Sequence, residues 1–464
     1  MTDWCPDLSR SAAPRYLALA DSIEEDIASG VLKTGDRLPA QRRLAVQLGL
    51  DFTTVARGYN EARRRGVISS LVGSGTFVSG NKNTVPIGVL PQNPTRSATP
   101  DFSMNLPPEP SALELQAKMQ KSLSVLSADL PALMRYQTFE SSELDVKAAS
   151  LWLHQAGLAP DTDCILIAPG AQAALAAILM TLTDPGDHIA CETITYPGIR
   201  SLAAQMGLHL TGLDMDDDGI VPDALEKTCK TGDLKALYLN PMIQNPTTYT
   251  MPEERRRAIA NIAARYAVPI LEDDPYSPLL PSAPSPLAAL APRNTWYIGS
   301  LSKTLGAGLR LAYVQAPTKK AGWQVSRALR TSQVMPAPLT VALATQWILD
   351  GTATEICAAV ASESAERQKL AAHYFQDLAH RTDPNGFHLW LSLTNGWTRS
   401  SFASQLRGLE IGVTESDAFT VTGPSLEAVR LCLGGPVPRT NLNTALETIA
   451  SLLDSSPEQA SAYF

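Results

Sequence analysis

Gly299-Ser300-Leu301-Ser302-Lys303-Thr304-Leu305, followed by Gly306, Gly308 and Arg310, sets an amine nucleophile, hydroxyls and a guanidinium beside flexible backbone. A lysine that captures an aldehyde cofactor bearing a phosphate needs that set of groups. Upstream, Asn245-Pro246 and the run Leu271-Glu272-Asp273-Asp274-Pro275-Tyr276 supply an amide, a carboxylate and a phenol in the order expected around a pyridine ring.

Short β-rich runs surround these residues: Ile165-Leu166-Ile167, His188-Ile189-Ala190, Ala236-Leu237-Tyr238-Leu239, Pro269-Ile270-Leu271 and Thr295-Trp296-Tyr297-Ile298. They alternate with amphipathic helical stretches, which predicts an α/β domain with a mostly parallel sheet and a ligand site at the strand ends. Ile167-Ala168-Pro169-Gly170-Ala171-Gln172 reads as strand, tight turn and helix start, so the amides of Ala171 and Gln172 offer a phosphate site. Ser300 and Arg310 are available for the same phosphate. Lys303 is expected to form the Schiff base, Asp273 to keep the ring nitrogen protonated, and Asn245 and Tyr276 to hydrogen-bond the ring hydroxyl. Tyr196, in Thr195-Tyr196-Pro197-Gly198, is placed to lie flat on the ring.

The amino-terminal end reads differently. Tyr16, Leu19, Ile23 and Ile27 recur at helical spacing before Gly30, Gln41 to Leu48 is a short second helix ended by Gly49, and Asp51 caps a third running from about Phe52 to Arg65. Val67 to Leu71 and Thr76-Phe77-Val78, around Gly73-Ser74-Gly75, make a β-hairpin wing. Residues 31 to 80 hold eight basic residues against three acidic ones, although the whole chain of 464 residues has net charge -8. This arrangement predicts DNA binding. The start of the third helix presents Phe52, Thr53, Thr54 and Arg57 to a major groove, while Arg63, Arg64, Arg65 and the Gly73 and Gly75 amides meet phosphates.

Three regions follow: a DNA-binding domain over 1–80, a tether over 81–110, and an effector domain over 111–464. The tether holds Pro86, Pro91, Pro94, Pro100, Pro107, Pro108 and Pro110. The six cysteines lack a CxxC pair or nearby histidines, so neither a disulfide framework nor a metal site is expected. No membrane-spanning stretch or leader is read, and a cytoplasmic location is expected.

Two resemblances extend this reading. Leu38-Pro39-Ala40-Gln41-Arg42, Leu44-Ala45, Leu48-Gly49-Leu50, Thr53-Thr54-Val55 and Gly73 to Val78 resemble the winged helix-turn-helix of GntR-type regulators, over about residues 14 to 79. The resemblance implies that Arg42 lies near the phosphate backbone and that Thr53 and Thr54 lie at the groove; Phe52 stands where many relatives have arginine. Residues 111 to about 454 resemble fold-type I aminotransferases. The motifs are Pro169-Gly170-Ala171-Gln172, Tyr196-Pro197-Gly198, Gln244-Asn245-Pro246-Thr247, Glu272 to Tyr276, Ser300 to Lys303 and Gly308-Leu309-Arg310. That family implies pyridoxal 5'-phosphate as cofactor, a small carboxyl-terminal α+β domain, and a homodimer in which Tyr136 reaches the partner's phosphate. It also implies a clamp for the effector carboxylate, for which Arg430 in Val429-Arg430-Leu431 is the choice. Thr248 replaces a customary glycine.

Together the two halves resemble the MocR subfamily of GntR regulators. The function this implies is transcriptional regulation of operator DNA, in which an amino compound forms an external aldimine by displacing Lys303. A catalytically active aminotransferase and a regulator sensing pyridoxal phosphate itself are the alternatives.

Overall fold

The computed structural model describes residues 4–8, 14–33, 35–65, 67–71, 75–78, 101–109, 112–137 and 141–461. The chain divides into two units, Met1–Pro94 and Thr95–Phe464.

In the first unit, helices Arg15–Ala28, Gln41–Leu48 and Phe52–Arg64 precede strands Ile68–Leu71 and Gly75–Val78. The strands pair antiparallel, from Ile68 opposite Val78 to Leu71 opposite Gly75. Leu19, Ile23, Leu44, Val55, Tyr59, Ile68 and Val78 form one buried core, as the apolar spacing predicts. Gly58 lets the first and third helices meet, since a Cβ there would stand 2.7 Å from Leu19 Cδ2. Asp51 caps the third helix through Thr53 N at 2.6 Å. Gly73 and Ser74 of the wing turn lie outside the described residues.

The second unit has a seven-stranded sheet in the order Ile165–Ala168, Ala312–Gln315, Thr295–Ser300, Ile270–Asp274, Leu234–Leu239, His188–Glu192 and His209–Leu213. Ala312–Gln315 runs antiparallel to both neighbours and the other pairings are parallel. These strands are nearly continuous apolar runs because helices cover both faces. Separate buried clusters around Trp152 and Tyr313 and around Ile178 and Trp296 mark the covered faces. A smaller antiparallel sheet, ordered His380–Thr382, His388–Ser392, Ala428–Cys432 and Thr414–Glu415, packs with helices Arg399–Gly408 and Arg439–Asp454.

Within the expected tether over 81–110, composition turns globular from Asp101 onward. Residues 101–109, read as the end of the tether, pack into the second unit: Phe102 is fully buried in the small-domain core, and Pro108 bridges to Gly435. Proline content signalled extension here, but an extended segment that finds partners on a neighbouring strand is part of the fold. Of the expected tether, 81–100 lies outside the described residues. No described helix is long and apolar enough to cross a membrane, and no described group of three or more His, Cys, Asp or Glu side chains is arranged to hold a metal.

Candidate cofactor and effector site

The parallel register of Ile270–Asp274 beside Thr295–Ser300 sets Asp273 opposite Ile298, near the carboxyl ends of both strands. Lys303 follows just beyond Ser300, and its charge bears on Asp273. Asp273 is 6% exposed; Tyr238 donates to its Oδ2 at 2.9 Å, while Asn240 Nδ2 holds its backbone carbonyl at 2.7 Å. Burial raises this carboxyl to about pH 7, against the lowering effect of the Tyr238 hydrogen bond. Burial also pulls the Lys303 amine down to about 8, so near neutral pH an appreciable fraction is the unprotonated nucleophile. Lys303 Nζ donates to the backbone carbonyl of Asn105.

Asn240 is the hub of the adjoining loop. Its Oδ1 accepts from Asn245 N at 2.8 Å, and Thr248 N donates to Gln244 O at 2.7 Å to close the turn. Thr248 is buried with φ 64°, a left-handed conformation unfavourable for a β-branched residue. Glycine's usual place at this position follows from that backbone. Asn245 Oδ1 accepts from Arg430 Nη1 at 2.9 Å, which joins the loop to the small-domain strand Ala428–Cys432. Arg430 is 5% exposed, lies over the Phe419 ring at 5.1 Å, and has a buried Nε without a partner among the described residues. Burial lowers its pKa.

At the other end, Gly170 caps helix Ala171–Leu182 with φ 98°. A Cβ on Gly170 would stand 3.1 Å from Arg310 Nη2, so the guanidinium lies against the helix start. Tyr196 packs over Gly198, where a Cβ would meet its ring at 2.2 Å, and its hydroxyl donates to Gln172 Oε1 at 3.4 Å. Ser300 Oγ accepts from Ser302 N at 3.3 Å.

The structure thus joins Lys303, Asp273, Asn245, Tyr276 and Arg430 through shared contacts, and gathers Ala171, Gln172, Tyr196 and Arg310 at the helix start. Tyr136, at 81% exposure, does not join its own protomer's group. Tyr238, Asn240, Asn105, Ser103 and Thr414 were missed by sequence reasoning. Tyr238 and Asn240 close a recognised strand, a position that signals a site residue. Asn105 and Ser103 sat in a stretch read as the end of the tether and the first globular turn.

In the first unit, Thr53 is exposed, and its hydroxyl donates to Asp51 at 2.5 Å. Thr54 is half-buried at the same helix start. Arg42 sits over the Phe52 ring at 5.9 Å. Arg57 packs over the Tyr16 ring at 4.3 Å, so the groove-facing expectation has to contend with an internal cation–π contact. Arg64 pairs with Glu61 on its own helix, while Arg65 binds Asp21, Glu24 and Glu61, tying the third helix to the first. The charge run could not reveal Asp21 and Glu24, which lie a helix away.

Residues 15–78 match the family described as bacterial regulatory proteins, gntR family, and residues 100–449 match aminotransferase class I and II. The chain is 31% identical to the uncharacterized HTH-type transcriptional regulator YdeF of Bacillus subtilis (strain 168), covering 97% of each. It is 29% identical to the vitamin B6 salvage pathway transcriptional repressor PtsJ of Salmonella typhimurium, covering 87% of this chain and 91% of that one. An archaeal alanine:glyoxylate aminotransferase shares the fold of the second unit, with TM-score 0.71 at 22% identity, covering 78% of this chain and 92% of the other.

A helix-turn-helix unit joined to a pyridoxal-phosphate aminotransferase fold defines a class of DNA-binding transcriptional regulator. The chain belongs to the aminotransferase class I and II family and, through residues 15–78, to the gntR family, the combination of the MocR subfamily. Pyridoxal phosphate is its cofactor, and the groups present fit it. An amine with a lowered pKa, a buried carboxyl with Oδ1 free of hydrogen bonds from the described residues, and a guanidinium set against a glycine-capped helix start match its aldehyde, ring nitrogen and phosphate.

Proposed function

We propose that this regulator senses an amino compound bearing a carboxylate, which takes the place of Lys303 on the cofactor aldehyde. The observation that carries this reading is the Arg430–Asn245 contact at 2.9 Å, which holds a buried cation in the same cluster as Lys303 and Asp273. An unpartnered buried Nε–H is costly, and a carboxylate would satisfy it. The cofactor supplies an electrophilic carbon that condenses with amines. Around it, Asp273 would hold the ring nitrogen, Asn245 and Tyr276 the ring hydroxyl, and Tyr196 one face of the ring. The amides of Ala171 and Gln172, with Ser300 and Arg310, would hold the phosphate. The protein works as a homodimer on operator DNA in the cytoplasm, with Tyr136 reaching the partner's site.

Mixing the cofactor-loaded chain with single amino acids tests this. A stable absorbance change and altered operator affinity, without keto-acid product, is the expected result; sustained product formation would instead identify a working aminotransferase. A second reading, response to pyridoxal phosphate itself, is favoured by the likeness to the vitamin B6 repressor PtsJ. It requires operator affinity to change with cofactor alone.

On the DNA side, Arg42→Ala removes a cation with no bearing on the cofactor cluster. Operator affinity should fall about threefold to tenfold at moderate salt, with cofactor content unchanged. An unaltered gel-shift titration would rule out Arg42 as a phosphate contact.

A further inference from the structure

Two residues ahead of the large domain, Ser103 and Asn105, bind the two cations at the reacting end of the site. The Ser103 carbonyl accepts from Arg430 Nη2 and, at 2.9 Å, from Thr414 Oγ1. The Asn105 carbonyl accepts from Lys303 Nζ, and Asn105 Nδ2 donates to the Tyr276 hydroxyl at 2.7 Å. Fixed points flank this stretch. Phe102 is fully buried, its amide bonded to Gly412 O at 2.9 Å and its carbonyl to Cys432 N at 3.0 Å. On the other side Gly435 N donates to Pro107 O at 3.0 Å, and a Cβ on Gly434 would stand 1.7 Å from Leu106 O. Between them Met104 is 59% exposed.

Counting hydrogens on Arg430 shows what a ligand meets. Nη1 gives one to Asn245, and Nη2 gives one to Ser103 O and one to Thr414 Oγ1 at 3.3 Å. A two-point carboxylate clamp uses either Nε with Nη2 or Nη1 with Nη2. Both forks need an Nη2 hydrogen that a partner now holds. The Lys303 contact behaves differently, because an amine that takes its place leaves the lysine able to keep donating to Asn105.

We propose that Ser103–Asn105 is a strap that a carboxylated amine turns aside by taking the Arg430 Nη2 hydrogens from the Ser103 carbonyl and Thr414. The Ser103 carbonyl retains the Thr414 hydroxyl once the peptide turns, so the strap moves without leaving a buried acceptor unpaired. The strap rests on the reading that an amino compound takes the place of Lys303.

Hydrogen exchange over a peptide spanning residues 101–108, in the full chain loaded with pyridoxal phosphate, tests it. The Leu106 amide, bonded to Met104 O at 2.9 Å, and the Ser103 amide, bonded to Asp101 Oδ1 at 2.9 Å, report the state of the strap. L-alanine and ethylamine serve as probes, with saturation read from absorbance. L-alanine should speed exchange by about tenfold, the worth of one hydrogen bond to a charged group, while ethylamine leaves it unchanged. Equal exchange with both amines, or unchanged exchange after L-alanine has shifted the absorbance, overturns the strap. If neither amine shifts the absorbance, the reading of Lys303 fails and the strap falls with it.

Discussion

The Lys303→Ala chain should purify colourless, and its operator affinity should be indifferent to any amino compound. In the proposed site the lysine is the covalent tether, and the contacts left without it are hydrogen bonds, the Asp273 carboxylate and the Arg310 guanidinium. Retention of pyridoxal phosphate should therefore drop by on the order of a hundredfold or more, equivalent to roughly 3 kcal/mol. The native chain should show a matching pH dependence. With the amine held at about 8 by burial, it is mostly protonated below that pH and mostly free above it. Cofactor loading should slow by about tenfold per pH unit below 8 and level off above. A Lys303→Ala chain that keeps both its colour and its response would place the covalent site elsewhere.

Asp273→Asn should separate cofactor binding from folding. Among the described residues of the proposed cluster, the buried Asp273 carboxylate is the group assigned to hold a protonated ring nitrogen by charge, and losing such a pair costs about 3 kcal/mol, roughly a hundredfold in cofactor affinity. Stability of the cofactor-free chain should move the other way. A carboxyl whose folded pKa is raised to about 7 from 3.8 adds stability below 3.8 and loses it as pH rises through 7. At pH 8 the acid is thus a liability to the fold, and asparagine, which keeps an acceptor for Tyr238, relieves it. Melting of the cofactor-free variant at pH 8 should be unchanged or higher than native while cofactor titration is severely weakened. Loss of both would mean that Asp273 serves the packing of the sheet.

The two readouts interlock. Lys303→Ala removes the covalent bond but leaves the charge on Asp273, so weak reversible cofactor binding should survive in that variant. Asp273→Asn leaves the nucleophile in place with less to orient the ring.

Much of this was legible in the chain. Periodic apolar residues with glycine stops marked the three amino-terminal helices, and the order of motifs from Pro169 to Arg310 marked the residues of the proposed cofactor cluster. These features are local: a strand followed by a tight turn places its next residues at the sheet edge wherever the strand sits. The contacts of Arg65 and Arg57 were not legible, because their partners Asp21, Glu24 and Tyr16 lie on another helix. Nor was the role of residues 101–109, whose prolines look alike in a free tether and in a strand-like segment bonded to Gly412 and Cys432.

By itself the sequence determined which chemical groups this protein possesses and in what local frames, since hydrophobic period, caps and turn residues act within a few positions. Only the tertiary structure decided that the Asn245 side chain meets Arg430, that Tyr238 holds Asp273, and that Ser103 and Asn105 touch Arg430 and Lys303. Those contacts join residues as much as 327 positions apart. They are set by how the sheets pack, and that is a property of the whole core.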